Sequence, residues 1–405
     1  MQRTRMRRAR VLVVLVLALV LALVALTGCV DRRSGITGTQ SIAVELIDPV
    51  DPGDLQHRLP AGAHAIEVNL AAYDAENRLD PSFDRDVQVY VQFLGTLTPT
   101  LGSRPLATIH MTAGQATGQT ISLPPVFGPT TLWVDDGGDA DPTYATGTSP
   151  TLWYRDPFIA DIQTPLDEKA LNALADSPLD NKQVSVSGSR YGEVGRLVVT
   201  SVFSQGYTVS DMKCSDASGA PPCAASAYDH IEVFSFSAPV DQNGRLLKQG
   251  QVIDGFTGGI SEFNNLTEVG FPGTRTSSDD VVPGRLPAPV KLDPLTWFKG
   301  LPDPAGIINF ERNEAAPIEI DNARVCALDS DYDRFKQWKI DPTAAADCAA
   351  SHVINVVTSG VITDLDPATL VGKTVPRVVG VLRPVFNIWI INPRSADDLT
   401  LPVLP

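Results

Sequence analysis

The stretch that decides the fold is residues 250–268, which read GQVIDGFTGGISEFNNLTE. Short apolar runs alternate here with glycines, and a glycine inside a strand marks a sharp bend or a close approach of another backbone. Predicted strands at 195–204, 206–209 and 230–237 precede this stretch as hairpins. Hairpins followed by two strands that glycines pinch together predict a five-stranded, strongly bent barrel.

The C-terminal stretch repeats this plan. Its predicted strands are 318–325, 335–340, 352–358, 377–383 and 387–391. A short helical turn at 366–370 precedes the fourth of them, and polar turn residues separate the others. We therefore expect two consecutive barrels, residues 184–291 and 317–405, joined by a linker at 292–316.

Three segments resemble a known module. Residues 206–211 (GYTVSD) are similar to the G-F-Y-V-x-D strand of OB-fold modules in secreted bacterial nucleases and in myxobacterial-type exported proteins. Residues 262–268 (EFNNLTE) are similar to the E-F-x-G-x-T-E-L hairpin of these modules, and residues 389–398 resemble their last strand. The resemblance implies that both barrels are OB-like, with the helical turn at 366–370 where an OB barrel places its helix. The OB fold hosts many ligands, so the resemblance implies architecture and leaves the ligand open.

The N-terminal half is predicted as a β-sandwich, which makes the chain all-β. Short apolar alternations occur at 41–46, 65–72, 87–93, 106–111, 117–123 and 130–134. Residues 65–93 resemble bacterial Ig-like domains, so residues 41–156 are expected to form an Ig-like β-sandwich, although the Cys…Trp…Cys signature of immunoglobulin domains is absent. Residues 157–183 are expected to be a short helical linker, because Thr164, Pro165 and the acidic residues that follow form a helix start.

The N-terminus has the three parts of a secretory signal. Five arginines within the first ten residues precede an uncharged apolar run at 11–26, and residues 26–29 (LTGC) resemble the lipobox of bacterial lipoproteins. The resemblance implies a signal peptide at 1–28, a diacylglycerol-modified (and palmitoylated) Cys29 and a tether at 29–40. The alternative is an uncleaved membrane anchor, but a helix of this length rises only about 24 Å, less than the roughly 30 Å hydrocarbon core. Since Val30 stands where the enterobacterial inner-membrane signal has Asp, we expect the outer membrane rather than the inner one.

The remaining composition suits an exported, acidic protein. Without the five signal arginines, 27 basic side chains face 47 acidic ones, a net charge of about −20 that repels phosphate backbones and anionic lipid. Beyond Cys29, the cysteines are Cys214, Cys223, Cys326 and Cys348. Four cysteines allow three pairings; the simplest joins neighbours, 214 with 223 and 326 with 348, as structural disulfides.

Two segments could bind ligands. Residues 334–339 interleave cations with aromatic side chains, as nucleic-acid-binding OB folds do; the candidates are Arg334, Phe335, Lys336, Trp338 and Lys339. The alternative is an ordinary strand with one aromatic packed inward and the cations solvated. The second segment is an acidic, glycine-containing loop whose carboxylates could bind Ca²⁺, namely Asp135, Asp136, Asp139 and Asp141. Its alternative is a solvated turn after a strand. Asp329, Asp331 and Asp333 start like an EF-hand loop, but the later positions of that motif do not match.

No catalytic motif is present in the sequence. The five histidines are dispersed, and neither a G-x-S-x-G nor an H-E-x-x-H pattern occurs. We therefore expect an envelope protein, attached to the membrane through its N-terminal lipid, with a non-catalytic binding or scaffolding role towards a protein or a glycan. The alternatives are single-stranded nucleic-acid binding by the second barrel, which the acidic charge disfavours, and an envelope hydrolase whose site assembles only in the fold.

Overall fold

The structure, a computed structural model, describes residues 38–93, 104–137, 145–165, 176–298, 304–386 and 388–402. The protein is mostly β, with 47% of residues in strands and 10% in helices, arranged in barrel-like and curled sheets. The all-β prediction is thus confirmed. Residues 1–37, which include the predicted signal, Cys29 and most of the tether, lie outside the described part. No described helix is long and apolar enough to cross a membrane.

The first sheet contains eight hydrogen-bonded strands. Its strands are β1 (Ser41–Asp48), β2 (Gly62–Tyr73), β3 (Arg85–Phe93), β4 (Ala107–Met111), β5 (Gln115–Val126), β6 (Pro129–Asp135), β7 (Thr146–Thr148) and β8 (Leu152–Trp153). The order is β4-β3-β6-β7-β1-β2-β5, with β8 paired to β6. Val87 and Val89 of β3 are fully buried while Gln88 and Tyr90 are half-buried, as the alternation predicts. All six strands expected here are present.

The second sheet has seven strands and curls around its own core. Its strands are β9 (Gln183–Val186), β10 (Gly195–Phe203), β11 (Gly206–Lys213), β12 (His230–Phe234), β13 (Val252–Ile253), β14 (Gly255–Phe263) and β15 (Leu266–Arg275). The order is β13-β10-β11-β12-β15-β14-β9, and β12 pairs with β15 in parallel. Asn264 and Asn265 both have positive φ, as a two-residue hairpin turn between β14 and β15 requires.

The glycines of the opening stretch act as expected. A Cβ on Gly258 would lie 2.7 Å from the carbonyl oxygen of Gly270 and 2.5 Å from Cγ1 of Val269. Such contacts are too close for any side chain, so glycine lets β14 and β15 approach at this point. The register of the two strands also shifts between Thr257 and Gly259. A bulge of this kind bends the strand, which fits the predicted curvature.

The third sheet closes on itself. Its strands are β16 (Val290–Lys291), β17 (Pro317–Val325), β18 (Gln337–Asp341), β19 (Ile354–Val357), β20 (Thr374–Val385), β21 (Ile388–Asn392) and β22 (Leu399–Thr400). The order is β16-β17-β18-β19-β21-β20-β22, and an additional β17–β20 pairing closes the ring. A 3-10 turn, Pro367–Leu370, lies between β19 and β20 and is capped by Asp366, as the sequence predicts.

The segments between the sheets pack as parts of the sheets' cores. Ile159 and Ile162, on the short helix Ile159–Gln163, are buried in the core of the second sheet. Thr164, expected to start a helix, instead follows the end of this one, and residues 166–175 lie outside the described part. Trp297 and Phe310, from the helices Pro294–Trp297 and Pro304–Glu311, belong to the core of the third sheet.

Candidate functional site

A polar cleft lies between the second and third sheets. It has a volume of about 590 Å³, within the roughly 300–1,000 Å³ of ordinary ligand pockets. The second sheet contributes the β10–β11 hairpin and Glu232 of β12. The third sheet contributes the loop after β19, Arg383 of β20 and residues 392–394 at the end of β21. A second cavity, of about 260 Å³ between the first two sheets, is lined by Phe127, Asp156 and Lys182 among others.

A buried ion pair crosses the cleft. Arg383 Nη2 donates to Oε1 of Glu232 at 2.7 Å, and Arg383 Nε lies 2.6 Å from Oε2. Burial raises the pKa of Glu232 to about 7, although Arg383 opposes this and Glu268 adds to it. The two residues are 151 positions apart in sequence and join the two sheets. The pair therefore fixes the width of the cleft as well as part of its polarity.

The other charged and amide groups of the cleft differ in how well they are paired. Arg394 is held by Asp398, through Nη2 to Oδ1 at 2.7 Å and Nε to Oδ2 at 2.9 Å. Oδ1 of Asn392 is buried and accepts no hydrogen bond within the described structure. Both arginines of the cleft are thus paired with carboxylates, while one buried amide oxygen has no partner among the described residues.

A line of buried hydroxyls leads away from the cleft. Thr208, which lines it, lies 2.9 Å from Oγ1 of Thr200, and Ser210 Oγ lies 2.6 Å from Nδ1 of His230. Ser210 and His230 are both buried, and burial lowers the pKa of His230 to about 3. A serine and a histidine are therefore adjacent, but a substrate has no access to them in this arrangement. Their role here is to satisfy each other's hydrogen bonds at the covered outer face of the second sheet.

The residues of the predicted aromatic and basic patch diverge. Trp338 is only 1% exposed and donates from Nε1 to Oγ1 of Thr358. Phe335 is 61% exposed, but it ends the helix Ser330–Phe335 rather than lying on β18. Arg334 lies in the last turn of the same helix, whose C-cap is Lys336. One aromatic ring of the patch is therefore exposed and the other packs in the core.

Lys339 of that patch is paired with two carboxylates. Nζ of Lys339 lies 2.6 Å from Asp329 Oδ2 and 2.7 Å from Asp331 Oδ2. The carboxylates that resemble the start of an EF-hand loop thus hold an ammonium group. Lys336 lies over the ring of Tyr332, 4.9 Å from its centroid.

The acidic loop after β6 is described only in part. Oδ2 of Asp135 accepts from Trp133 Nε1 at 3.0 Å, and Oδ1 accepts from the backbone of Gly137. Oδ2 of Asp136 accepts from the backbone of Ala145. Asp139 and Asp141 lie outside the described residues. The two described carboxylates organise the loop through these bonds, and the calcium prediction remains a prediction.

Both disulfides join neighbouring cysteines, as the simplest pairing predicts. Cys214 is bonded to Cys223, and Cys326 is bonded to Cys348. The first bridge closes the loop after β11, and the second ties the end of β17 to the loop between β18 and β19. Each bridge lies within one sheet's unit.

The segments that resemble the OB module lie in the core and at a joint. Tyr207 is buried and contacts Thr274 through its hydroxyl at 2.8 Å, while Asp211 accepts from the backbone of Arg190. Glu262 accepts from Thr267 Oγ1, and the backbone of Thr267 donates to Glu314, a buried residue of the segment between the two barrels. These residues position elements of the fold. From the three segments, Thr208 of the first and residues 392–394 of the last line the cleft.

Sequence reasoning missed Glu232, Arg383, Asn392 and Arg394. A signal for the first two exists, because each is a charged residue within a strand of apolar neighbours, and a buried charge needs a partner. Comparison with protein-family models, curated proteins and solved structures found no match to this chain.

Proposed function

We propose that this chain is a lipid-anchored envelope protein that binds a neutral glycan, without catalysis, in the cleft between its second and third sheets. The observation that carries the proposal is the unpartnered, buried Oδ1 of Asn392, because a hydroxyl group of a ligand would satisfy it. Ser201, Ser204 and Ser359 add hydroxyl groups to the lining of the same cleft, and Phe203 adds an aromatic side chain.

The charge balance of the cleft favours a neutral ligand. Arg383 is paired with Glu232, and Arg394 is paired with Asp398. An anionic ligand would have to compete with these carboxylates, whereas the hydroxyls of a sugar can bond to paired groups without separating them. The glycan is therefore a better candidate than a nucleic acid, and the notion of a protein ligand has no specific support in the cleft.

The strand order supports an OB-like architecture for both barrels. In each unit, three consecutive antiparallel strands are followed by two more, and the third strand pairs in parallel with the fifth. In the third sheet, the first and fourth strands also pair. OB folds bind oligosaccharides as well as oligonucleotides at the face formed by strands two and three, and Thr208 and Glu232 lie on the corresponding β11 and β12. We further propose that the first sheet is an Ig-like unit.

A binding experiment tests the glycan proposal. The full chain is screened against immobilised neutral oligosaccharides, and each hit is titrated by calorimetry. Asn392→Leu should weaken binding by at least about tenfold, because one hydrogen bond to a buried group is lost. Asn69→Leu, on the exposed surface of the first sheet, is the matched control. The absence of any neutral-glycan hit, or a hit that Asn392→Leu leaves unchanged, would reject the proposal.

A glycoside hydrolase is the second candidate, favoured by one observation. Glu232 lies in the cleft, and its raised pKa of about 7 is typical of a general acid. Glu268 faces Glu232 in the register of the parallel pair and carries a second carboxylate. If a bound oligosaccharide is cleaved, Glu232→Gln should abolish turnover. If no product forms over long incubation while binding is retained, the non-catalytic function stands.

The anchor is tested separately. Metabolic labelling with palmitate should mark the wild-type chain, and Cys29→Ser should remove the label and leave the signal uncleaved. Fractionation should then find the labelled chain in the outer membrane. Labelling of the Cys29→Ser variant would contradict the lipoprotein proposal, and recovery in the inner membrane would contradict the sorting proposal.

A further inference from the structure

The loop between β18 and β19 brings together three side chains that can bind a metal ion. Asp341 is the last residue of β18, and Asp347 and His352 lie in the loop that follows. One ligand atom from each lies within 4.8 Å of the other two. His352 Nε2 is 2.8 Å from Asp347 Oδ1 and 3.3 Å from Asp341 Oδ2.

A hydrogen bond from the imidazole accounts for only one of the two carboxylate contacts. One ring nitrogen carries at most one hydrogen, and the hydrogen bond of Nε2 goes to Asp347. The Asp341 oxygen faces the same nitrogen from a second direction. In a tetrahedral zinc site with bonds of about 2.0–2.2 Å, neighbouring ligand atoms lie about 3.3–3.6 Å apart. The 3.3 Å separation of His352 from Asp341 agrees with this range, and the 2.8 Å separation from Asp347 is shorter, as a hydrogen bond is.

The surroundings hold the ligands in place. Oδ1 of Asp341 accepts from the backbone and the hydroxyl of Thr343, and Oδ2 accepts from the backbone of Cys348. Cys348 is itself fixed by the disulfide to Cys326. The second ring nitrogen of His352, Nδ1, lies 3.3 Å from the hydroxyl of Ser351. Hydrogen-bonded carboxylates and an oriented imidazole are the outer-shell features of metal sites.

We propose that Asp341, Asp347 and His352 form a zinc site. The imidazole favours zinc over calcium and magnesium, which take oxygen ligands. Asp341 is fully buried while the Asp347 side chain is 60% exposed, so the site is open on one side. Three protein ligands leave the fourth position of a tetrahedral ion for water. The ion would cross-link the loop between β18 and β19 close to Cys348, which the disulfide also holds.

Calorimetric titration of the full chain with zinc chloride alone tests the site. We expect saturable binding of one ion per chain, and His352→Ala should lower the affinity by more than about 100-fold. Cobalt substitution should produce the visible absorption bands of a tetrahedral site, which a histidine–aspartate ion pair cannot produce. Because Asp347 is exposed, Asp347→Ala provides a second variant that should weaken zinc binding even if His352→Ala fails to fold.

His110→Ala is the matched control. His110 also contacts two carboxylates, but through different ring nitrogens, Nε2 to Asp84 at 3.2 Å and Nδ1 to Asp86 at 2.8 Å. It cannot offer one nitrogen and both carboxylates to the same ion, so its loss should leave zinc binding unchanged. Zinc binding that persists in both His352→Ala and Asp347→Ala, or a wild-type chain that shows neither saturable zinc binding nor cobalt bands, would overturn the proposal.

Discussion

Glu232 depends on a single counter-ion, the guanidinium of Arg383. Its side chain is fully buried, while that of Arg383 is 26% exposed at the rim of the cleft. Arg383→Ala leaves a buried carboxylate without its partner, and we expect a loss of about 3 kcal/mol in the free energy of unfolding. Urea unfolding of the variant measures this loss. Arg78→Ala, which removes an exposed ion pair with Asp74, should change stability little.

The expected loss of stability in Arg383→Ala comes from leaving the buried Glu232 carboxylate unpaired, and not from the lost attraction between the two charges. Replacing both partners with apolar residues of similar size, as in Arg383→Met with Glu232→Leu, should therefore recover most of the lost stability. A double variant as unstable as Arg383→Ala would show instead that packing of the arginine side chain dominates.

For single residues, the sequence predicted which side chain of a strand is buried, but it did not predict which distant residues form pairs. The alternation around Trp338 allowed one inward-facing aromatic, and Trp338 is that residue. Glu232 and Arg383 lie in separate units, so their pairing follows from the packing of two barrels, which no local pattern encodes. Asp341 and His352, by contrast, lie within one unit, where the β18–β19 hairpin brings them together.

At the scale of elements, the β14–β15 hairpin is joined to its neighbours by buried carboxyl groups. Burial, together with Glu311 and Glu262, raises the pKa of Glu314 well above its ordinary value of 4.5. Burial also raises the pKa of Glu262, although Ser177 and Thr267 donate hydrogen bonds to it. In the folded state such groups hold their protons more tightly than in the unfolded state. Their contribution to stability is therefore complete below pH 4.5 and is lost as the pH rises above it.

Glu314→Gln isolates this effect. The amide oxygen can still accept from Thr267 and cannot ionise, so the variant should lose less stability than the wild type between pH 4.5 and pH 7. The difference between the two curves is the informative quantity, because His230 acts in the opposite direction. Its lowered pKa, about 3, makes stability rise with pH as the unfolded histidine deprotonates. Glu193→Gln, on an exposed turn, is the control, and parallel curves for Glu314→Gln and wild type would contradict the prediction.

The two disulfides should contribute different amounts to the free energy of unfolding, because they close loops of different length. Cys326 and Cys348 are 22 residues apart, and Cys214 and Cys223 are 9 apart. The chain-entropy relation gives about 3.4 kcal/mol for the longer loop and about 2.6 kcal/mol for the shorter one. Urea unfolding of the two paired Cys→Ser variants should reproduce this order. Peptide mapping without reduction checks the pairing itself, and a bridge between the two units would contradict it.

Strand positions were predicted well, and the intervening segments less well. Most of the longer strands lie within a few residues of the predicted ranges, because period-two alternation and glycine turns are local signals. The short strands β7, β8, β16 and β22 were not predicted. Phe335 was expected to begin a strand, but Asp329 caps a short helix that ends at Phe335 and delays β18 to Gln337. A capping aspartate outweighed the strand pattern there.

At the scale of the whole molecule, the predicted linkers are structural. Ile159 and Ile162 complete the core of the second sheet, and Trp297 and Phe310 complete the core of the third. The sequence predicted a helical linker at 157–183, from the helix start at Thr164 and Pro165, and a linker at 292–316. Only the assembled sheets provide the open core edges that these residues fill. The cleft is a consequence of the same packing, since it exists only where the two barrels meet.

The net charge of the molecule argues against binding of single-stranded nucleic acid. The full chain carries a net charge of −15, and each of Lys339, Arg383 and Arg394 is bonded to at least one carboxylate. Binding of single-stranded DNA requires free cations along a groove and exposed aromatic rings. Phe335 is exposed, but Trp338 is not, so no pair of rings in the 334–339 segment can stack on successive bases. We expect no mobility shift of a labelled oligonucleotide at low salt, where electrostatic attraction is strongest. A shift that fades with added salt and is lost in Phe335→Ala would reverse this conclusion, because it would show that one exposed ring and local cations suffice despite the charge of the whole chain.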